Sequence, residues 1–247
     1  MRTLWKLTVN EMKLYLREPT ATFFTLAFPL MILFLFGSIY GNEPAPYFGG
    51  RGSVDISVPG YVAMIIGTVG LLSITIQIAS YREKGVLRRY RATPLRPATL
   101  LGAEVLVNFV MTLLGTLLLI GAAVVVYDLQ FEGHALSVFG AFVLATLSFF
   151  AAGFMIAGLA STARVAQVVG MVIFYPMLFL SGASIPLQEL PETVRNVSRF
   201  LPLTHVVTLL QGLWFGAGWD EHLTEVTVLV GMLVVGVFFS AKTFRWE

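Results

Sequence analysis

The sequence predicts an all-α integral membrane protein with six transmembrane helices. Three observations predict this fold: the mean hydropathy of the 247 residues is +0.82, only 12% of them are charged, and six long apolar stretches contain almost no charge. Soluble domains carry about 25% charged residues on average. A soluble core has no use for so much apolar surface, so we expect one membrane domain over 1–247 and no separate catalytic domain.

Each apolar stretch is long enough to cross the hydrocarbon core, which takes about 20 residues. The first stretch follows a basic segment, as a signal peptide's apolar region does, but it is longer than such a region and no small-residue cleavage site follows it. The segment 200–219 also lacks Asp, Glu, Lys and Arg, and could span or lie along the interface. The predicted spans lie at about 19–42, 58–80, 98–127, 136–161, 165–183 and 223–241.

The distribution of Lys and Arg predicts the orientation. Cytoplasmic segments carry an excess of these residues, and here they concentrate before the first span and between the second and third. With six spans and both termini in the cytoplasm (N-in/C-in), 13 of the 16 Lys and Arg residues lie inside. A seventh span over 200–219 would move Lys242 and Arg245 outside, which favours six spans.

Two segments outside the spans have amphipathic or apolar character. We predict an interfacial helix over 1–20, in which basic residues lie beside an apolar stripe. It either anchors the protein or also contacts a partner; its interfacial residues are Trp5, Lys6, Lys13 and Arg17. The segment 184–222 is too apolar for a solvated extracellular loop, so we predict re-entrant helices there. An amphipathic hairpin that anchors the outer surface is the alternative.

The segment 81–97 has the most specific sequence of the chain. Val86, Leu87 and Tyr90 give a short cytoplasmic helix one apolar face, while its arginines can meet lipid phosphates or a partner protein. Pro94 and Pro97 end this helix before the third span. The alternative is a basic topology signal with no further role.

The order of residues in this segment resembles the cytoplasmic coupling helix of ABC-2 type ABC transporter permeases. The similar residues are Glu83-Lys84-Gly85-Val86-Leu87-Arg88-Arg89, followed by Ala92-Thr93-Pro94-Leu95. Other pieces resemble the same family in the same order, so the similarity covers essentially the whole chain. They are Arg17-Glu18-Pro19, Pro29 inside the first span, Phe179-Leu180-Ser181-Gly182, and Leu201-Pro202-Leu203-Thr204-His205.

The resemblance implies the membrane subunit of a bacterial drug or lipid exporter in the plasma (inner) membrane. It implies a dimer with a second permease copy or homologue, and cytoplasmic ABC ATPase subunits that bind ATP and Mg. The sequence itself has no Gly-x-x-x-x-Gly-Lys-Ser/Thr loop to hold ATP phosphates. We therefore expect no enzyme activity, catalytic residue, cofactor or metal site in this chain, and no nucleic-acid partner.

By this resemblance, the coupling residues are Arg82, Glu83, Lys84, Gly85, Val86, Leu87, Arg88 and Arg89. Glu83 is expected to make a charge contact with the ATPase, and Val86 and Leu87 to fill a groove on it. Arg88 and Arg89 are expected to hold lipid phosphates instead.

Polar residues inside the spans are candidates for the substrate pathway, although each could equally stabilise helix packing. They are Thr68, Thr75, Asn108, Tyr175 and Ser181. Glu104 lies near the start of the third span, where we expect it at the inner interface. Aromatic and methionine-rich spans favour a hydrophobic or amphipathic substrate over a lipid-linked polysaccharide. An ion-coupled secondary transporter or an intramembrane enzyme is the alternative from another functional class.

Overall fold

The computed structural model of the chain describes residues 2–46, 49–86, 97–184, 187 and 191–243. Every named element in these ranges is a helix, and six helices are long and apolar enough to cross a membrane. The prediction of an all-α fold with six spans is therefore confirmed. The six spans are Pro19–Tyr40, Ser53–Glu83, Thr99–Tyr127, Ala135–Leu159, Ala163–Leu180 and Trp219–Lys242.

A helix over Arg2–Arg17 precedes the first span. It ends earlier than the predicted boundary at residue 20, because Glu18 has an extended backbone (φ −91°, ψ 97°) before Pro19. A residue before proline is disfavoured in the helical conformation. The N-terminal helix and the first span are therefore separate helices, and the extended residue Glu18 joins them.

The second and fourth spans form the centre of the bundle, and the sixth span is the most exposed. The second span contains a wider π-helical turn, Val69–Ile74, which faces the fourth span. Here Gly70 and Gly153 bring the two backbones together, since a side chain at Gly153 would collide with the Gly70 carbonyl. The Thr75 hydroxyl lies 3.4 Å from that carbonyl oxygen and 3.3 Å from the carbonyl oxygen of Gly153.

Two shorter helices, Glu192–Ser198 and Pro202–Trp214, precede the sixth span. At 1.5 Å per residue the second is roughly 20 Å long, which is too short to cross a bilayer. It packs against the second, fourth and sixth spans and buries Leu203, Val206 and Leu210. The segment 200–219 is thus largely a packed helix, and its re-entry into the membrane stays a prediction.

The second span begins earlier than the sequence indicated. Its helix starts at Ser53, and Asp55 in its first turn is 4% exposed. The Asp55 carboxylate accepts hydrogen bonds from Asn42 Nδ2 (2.9 Å), the Gln130 backbone N–H (2.9 Å) and the Gly52 backbone N–H (3.3 Å). These bonds satisfy the buried carboxyl oxygens and connect the second span to the segments around Asn42 and Gln130 on either side of it.

Candidate functional site

The candidate coupling segment begins at the predicted cytoplasmic end of the second span. The helix ends at Glu83, and Gly85 follows in the left-handed conformation (φ +65°) that glycine adopts without strain. The Gly85 N–H donates to the Arg82 carbonyl (3.0 Å), which closes a tight turn. Val86 is the last residue described here, so the predicted coupling residues Leu87, Arg88 and Arg89 lie outside the described ranges.

Arg82 and Glu83 bind the ends of the fourth and fifth spans. Arg82 Nη1 donates to the carbonyl of Gly158, in the last turn of the fourth span (2.9 Å). Glu83 Oε2 accepts from the N–H of Ala163, the first residue of the fifth span (2.8 Å). Each charge also matches the helix dipole at the end that it binds. The coupling segment is therefore linked to both spans by helix-end hydrogen bonds.

Only some of the described residues of the coupling segment, those up to Val86, are free to meet another protein. Glu83 is exposed, but one of its oxygens is used within the chain. Lys84 is exposed too, and a Cβ atom added to Gly85 would have no described atom within 4 Å. Lys84, Gly85 and the half-buried Val86 therefore form the described tip of the segment, and we call these three residues the coupling tip.

The N-terminal helix faces the bundle with polar side chains. Thr8, Glu11 and Tyr15 are buried, whereas Trp5 is 68% exposed. Lys13 and Arg17 are exposed as well, and the side chain of Lys6 lies outside the described part. The Tyr15 hydroxyl lies 2.7 Å from the Thr25 hydroxyl in the first span, and burial raises the pKa of Tyr15, which keeps that hydroxyl protonated. That this helix lies at the membrane interface stays a prediction.

Glu11 belongs to a buried polar cluster that sequence reasoning missed. Its carboxylate accepts a hydrogen bond from the Tyr81 hydroxyl (2.7 Å), near the end of the second span. Glu104 and Asn108 of the third span complete the cluster, and both are fully buried. One signal was available: residues 8, 11 and 15 follow helical spacing, which puts their polar side chains on one face of the helix.

A cavity of about 110 Å³ lies between the N-terminal helix and the first, second and fifth spans. Its walls combine apolar side chains, such as Phe24 and Met171, with polar ones such as Gln167. Two of the candidate pathway residues, Thr68 and Tyr175, line it. Thr68 donates to the Met64 carbonyl of its own helix (2.8 Å).

The other three pathway candidates lie elsewhere. Thr75 is in the contact between the second and fourth spans, and Asn108 is in the buried polar cluster. Ser181 is buried at the end of the fifth span, where its hydroxyl accepts from the Ala183 N–H (3.3 Å). A second cavity of about 370 Å³ is lined almost entirely by apolar side chains of the second, third and fourth spans and of the Pro202–Trp214 helix. None of the five candidates lines it.

The described residues contain no group of three or more His, Asp and Glu side chains that could hold a metal ion. His222 lies 3.7 Å from Glu225, and His205 lies 3.0 Å from the Arg199 carbonyl oxygen. Both contacts are structural in character, since neither histidine faces a second potential ligand among these groups.

Fold and site together define a multi-pass membrane protein with a small cavity inside its helix bundle and a charged segment bound to two helix ends. The chain belongs to the ABC-2 type transporter family, whose profile matches residues 2–215. This membership confirms the resemblance read from the residues around Glu83.

Several named relatives are permeases. A probable multidrug ABC transporter permease of Escherichia coli K12, YbhS, is 26% identical over 188 residues, which are 76% of this chain and 49% of the relative. The daunorubicin resistance permease DrrB1 of Streptomyces coeruleorubidus is 26% identical over 228 residues, covering 89% of this chain and 76% of the relative. The chain thus spans about half the length of YbhS and most of DrrB1.

Proposed function

We propose that this chain is the membrane subunit of an ATP-binding cassette exporter that moves a hydrophobic or amphipathic molecule out across a bacterial inner membrane. A separate cytoplasmic ATPase subunit supplies the energy by binding ATP and Mg and hydrolysing the ATP. The observation that carries this proposal is the pair of contacts from Arg82 and Glu83 to the ends of the fourth and fifth spans.

These contacts give the coupling segment a mechanical role. An ATPase that pushes on the coupling tip moves Arg82 and Glu83 with it, and the hydrogen bonds carry that displacement to Gly158 and Ala163. Packed helices move as rigid bodies between discrete arrangements. The fifth span also lines the cavity through Gln167, Met171 and Tyr175. Movement of the coupling tip therefore reaches the cavity through one helix.

The lining of the cavity favours a hydrophobic substrate that carries some polar groups. Aromatic rings and methionine supply apolar contact, while Gln77, Gln167 and Tyr175 supply hydrogen-bonding groups. Drug-sized ligands occupy pockets of about 300–1,000 Å³, so a cavity of 110 Å³ must widen before such a molecule fits. The names of relatives, which mention multidrug transport and daunorubicin resistance, support the same substrate class.

A second permease copy or homologue offers one way to enlarge the cavity. The first and fifth spans border it and leave large apolar side chains exposed, among them Met31, Val168 and Val172. Two copies facing each other through these spans would place two such cavities side by side. The six spans and a relative named as an inner membrane transport permease, YhhJ of Escherichia coli K12, support the proposed inner-membrane location.

The test is capture of the ATPase from the native membrane with the tagged full-length chain, followed by substrate-stimulated ATP hydrolysis of the captured complex. Two kinds of variant separate binding from coupling. Lys84→Glu reverses a charge at the coupling tip and should abolish capture. Glu83→Gln weakens the bond to Ala163 while it keeps the shape of the side chain. We expect it to retain capture and to lower stimulated hydrolysis about tenfold.

Lys242→Glu is the matched control, because it reverses an exposed charge at the end of the sixth span and should change neither readout. Unchanged stimulated hydrolysis in Glu83→Gln would remove the contact with the fifth span from the mechanism. A chain that purifies alone and transports in ATP-free liposomes would instead identify an ion-coupled secondary transporter. Export of a lipid-linked polysaccharide with no effect of drugs on hydrolysis would reject the proposed substrate class.

A further inference from the structure

The buried polar cluster joins the N-terminal helix to the second and third spans. It contains two carboxyl groups, Glu11 and Glu104, together with Gln77, Tyr81 and Asn108. Glu104 is 1% exposed, Asn108 is 0% exposed and Glu11 is 5% exposed. Its member Tyr81 lies two residues before Glu83 along the second span, beside the predicted coupling residues.

The hydrogen bonds of the cluster point away from the Glu104 carboxyl. Tyr81 donates to Glu11, Gln77 Nε2 lies 3.2 Å from the Tyr81 oxygen, and Asn108 Nδ2 donates to Gln77 Oε1 (3.4 Å) and to the Glu104 backbone carbonyl (2.9 Å). Both carboxyl oxygens of Glu104 and Oδ1 of Asn108 are left without a donor among the described residues. These three buried oxygen atoms therefore accept no hydrogen bond from the described residues.

No described cation neutralises these carboxyl groups. The titratable groups that face Glu104 are Glu11 of the N-terminal helix and Tyr81 of the second span. Nearby charges point elsewhere: Lys13 and Arg17 are exposed, and Arg82 donates to Gly158. The first span has no ionisable side chain between positions 19 and 39, and the third span has, besides Glu104, only Tyr127 at its far end. Two carboxylates side by side in a buried site cannot both keep their charge.

We propose that Glu104 and Glu11 form a proton-binding site that holds one proton between them. The proton comes from cytoplasmic water and bonds to one Glu104 oxygen, which then donates to the Glu11 carboxylate. The other Glu11 oxygen keeps the bond from Tyr81. One acid and one carboxylate thus replace two repelling charges, and the shared proton bonds the N-terminal helix to the second and third spans.

This site makes docking of the N-terminal helix depend on pH. The docked state holds a proton that the separated carboxyl groups would release, so a rise in pH favours separation and a fall favours docking. Tyr81 bonds to Glu11 and lies two residues before Glu83, so loss of the proton loosens the bundle beside the coupling segment. The inference stands apart from the proposed transport function, because it concerns the chain alone.

Infrared difference spectroscopy of the full-length chain in lipid nanodiscs detects the proton directly. At neutral pH we expect the carbonyl stretching band of a protonated carboxylic acid, shifted in D₂O and lost in alkaline buffer. Glu104→Gln should remove the band, and Glu11→Gln should shift it. Glu192→Gln, which changes an exposed carboxyl group, is the control and should leave it unchanged.

Absence of the band at neutral pH, or its survival in Glu104→Gln, would overturn the proposal. A band that appears only after sodium and potassium are removed would also overturn it, because a metal cation would then occupy the site. The wild-type titration needs no variant, so poor folding of Glu104→Gln does not prevent the test.

Labelling of a single cysteine measures docking independently, since the natural chain has no cysteine. Thr8→Cys places a thiol on the buried face of the N-terminal helix, and Asn10→Cys places one on its exposed face. Relative to Asn10→Cys, which corrects for thiol ionisation, the labelling rate of Thr8→Cys should rise several-fold in alkaline buffer. A ratio that does not change with pH would contradict proton-dependent docking.

Discussion

Two carboxyl groups, Asp55 and Glu104, are buried near opposite ends of the helix bundle. Asp55 lies in the first turn of the second span, and Glu104 lies in the second turn of the third span. Asp55 accepts three hydrogen bonds, from Asn42, Gly52 and Gln130. Glu104 accepts none from the described residues. The same chemical group is thus fully paired at one end of the bundle and unpaired at the other.

The difference indicates how the two ends behave. At the Asp55 end, Gln211 also donates to the Ile56 carbonyl (2.9 Å) and Trp214 to the Gln130 carbonyl (3.0 Å), so polar bonds connect four segments. At the Glu104 end, the pairing depends on an exchangeable proton and the neighbouring bonds from Arg82 and Glu83 lie at helix ends. We infer that the Asp55 end is fixed and that movement starts at the Glu104 end, where the ATPase is proposed to bind.

Replacing Asp55 tests the fixed end and has the largest expected effect. Asp55→Ala removes the acceptor of three hydrogen bonds. The Gly52 and Gln130 backbone N–H groups lose their acceptor, and Asn42 Nδ2 keeps only its bond to the Tyr127 carbonyl. Loss of charge-assisted bonds of this kind costs about 3 kcal/mol or more. The measurement is unfolding in mixed micelles titrated with SDS. Asp220→Ala, at an exposed carboxylate, should stay close to the wild type; equal losses in the two variants would refute the comparison.

Alanine substitutions at two glycines test how tightly the Asp55 end and the Glu104 end are packed. A side chain at Gly133, in the loop beside Asp55, would collide with the Leu213 carbonyl, whereas open space surrounds Gly102 in the third span, near Glu104. Gly133→Ala should therefore destabilise the chain by about 2 kcal/mol through overpacking. Gly102→Ala should stabilise it by about 0.5–1 kcal/mol, because alanine favours the helix. The same SDS titration measures both, and effects of the same sign would contradict the difference in packing.

The sequence predicted the six spans because length and hydropathy decide whether a helix can cross a bilayer, and neither depends on neighbours. It did not predict the buried position of Asp55. That position depends on Asn42 and Gln130, which lie 13 and 75 residues away along the chain. Without these distant partners, an acidic residue at the end of an apolar stretch is interpreted as part of a loop.

The N-terminal helix shows why the candidate sites were harder to predict. Its apolar stripe predicted a helix at the membrane interface, but it did not show that the polar residues Thr8 and Glu11 face the bundle while Trp5 is exposed. In a membrane the lipid accepts apolar side chains, so an apolar stripe does not identify the protein-facing side. Glu83 illustrates a similar gap, because its motif predicted a role in coupling but could not show the bond to Ala163.

The surface ion pair at the Asp55 end has the smallest expected effect. Arg51 Nη2 lies 3.1 Å from Glu132 Oε2, and the two side chains are 37% and 53% exposed. Exposed pairs contribute about 0–1 kcal/mol and weaken in salt, so Glu132→Gln should lower stability by less than about 1 kcal/mol at low ionic strength. Arg51 also lies over the Phe215 ring (3.9 Å), a contact that Glu132→Gln leaves in place.

A double-mutant cycle of Arg51→Gln and Glu132→Gln in the SDS titration isolates the pair from that ring contact. A coupling free energy as large as the loss of stability in Asp55→Ala would mean that surface charges hold this end of the bundle together. The contrast between the paired Asp55 and the unpaired Glu104 would then no longer explain the difference between the two ends. A small coupling that disappears in high salt would leave the buried Asp55 as the group that holds the segments together.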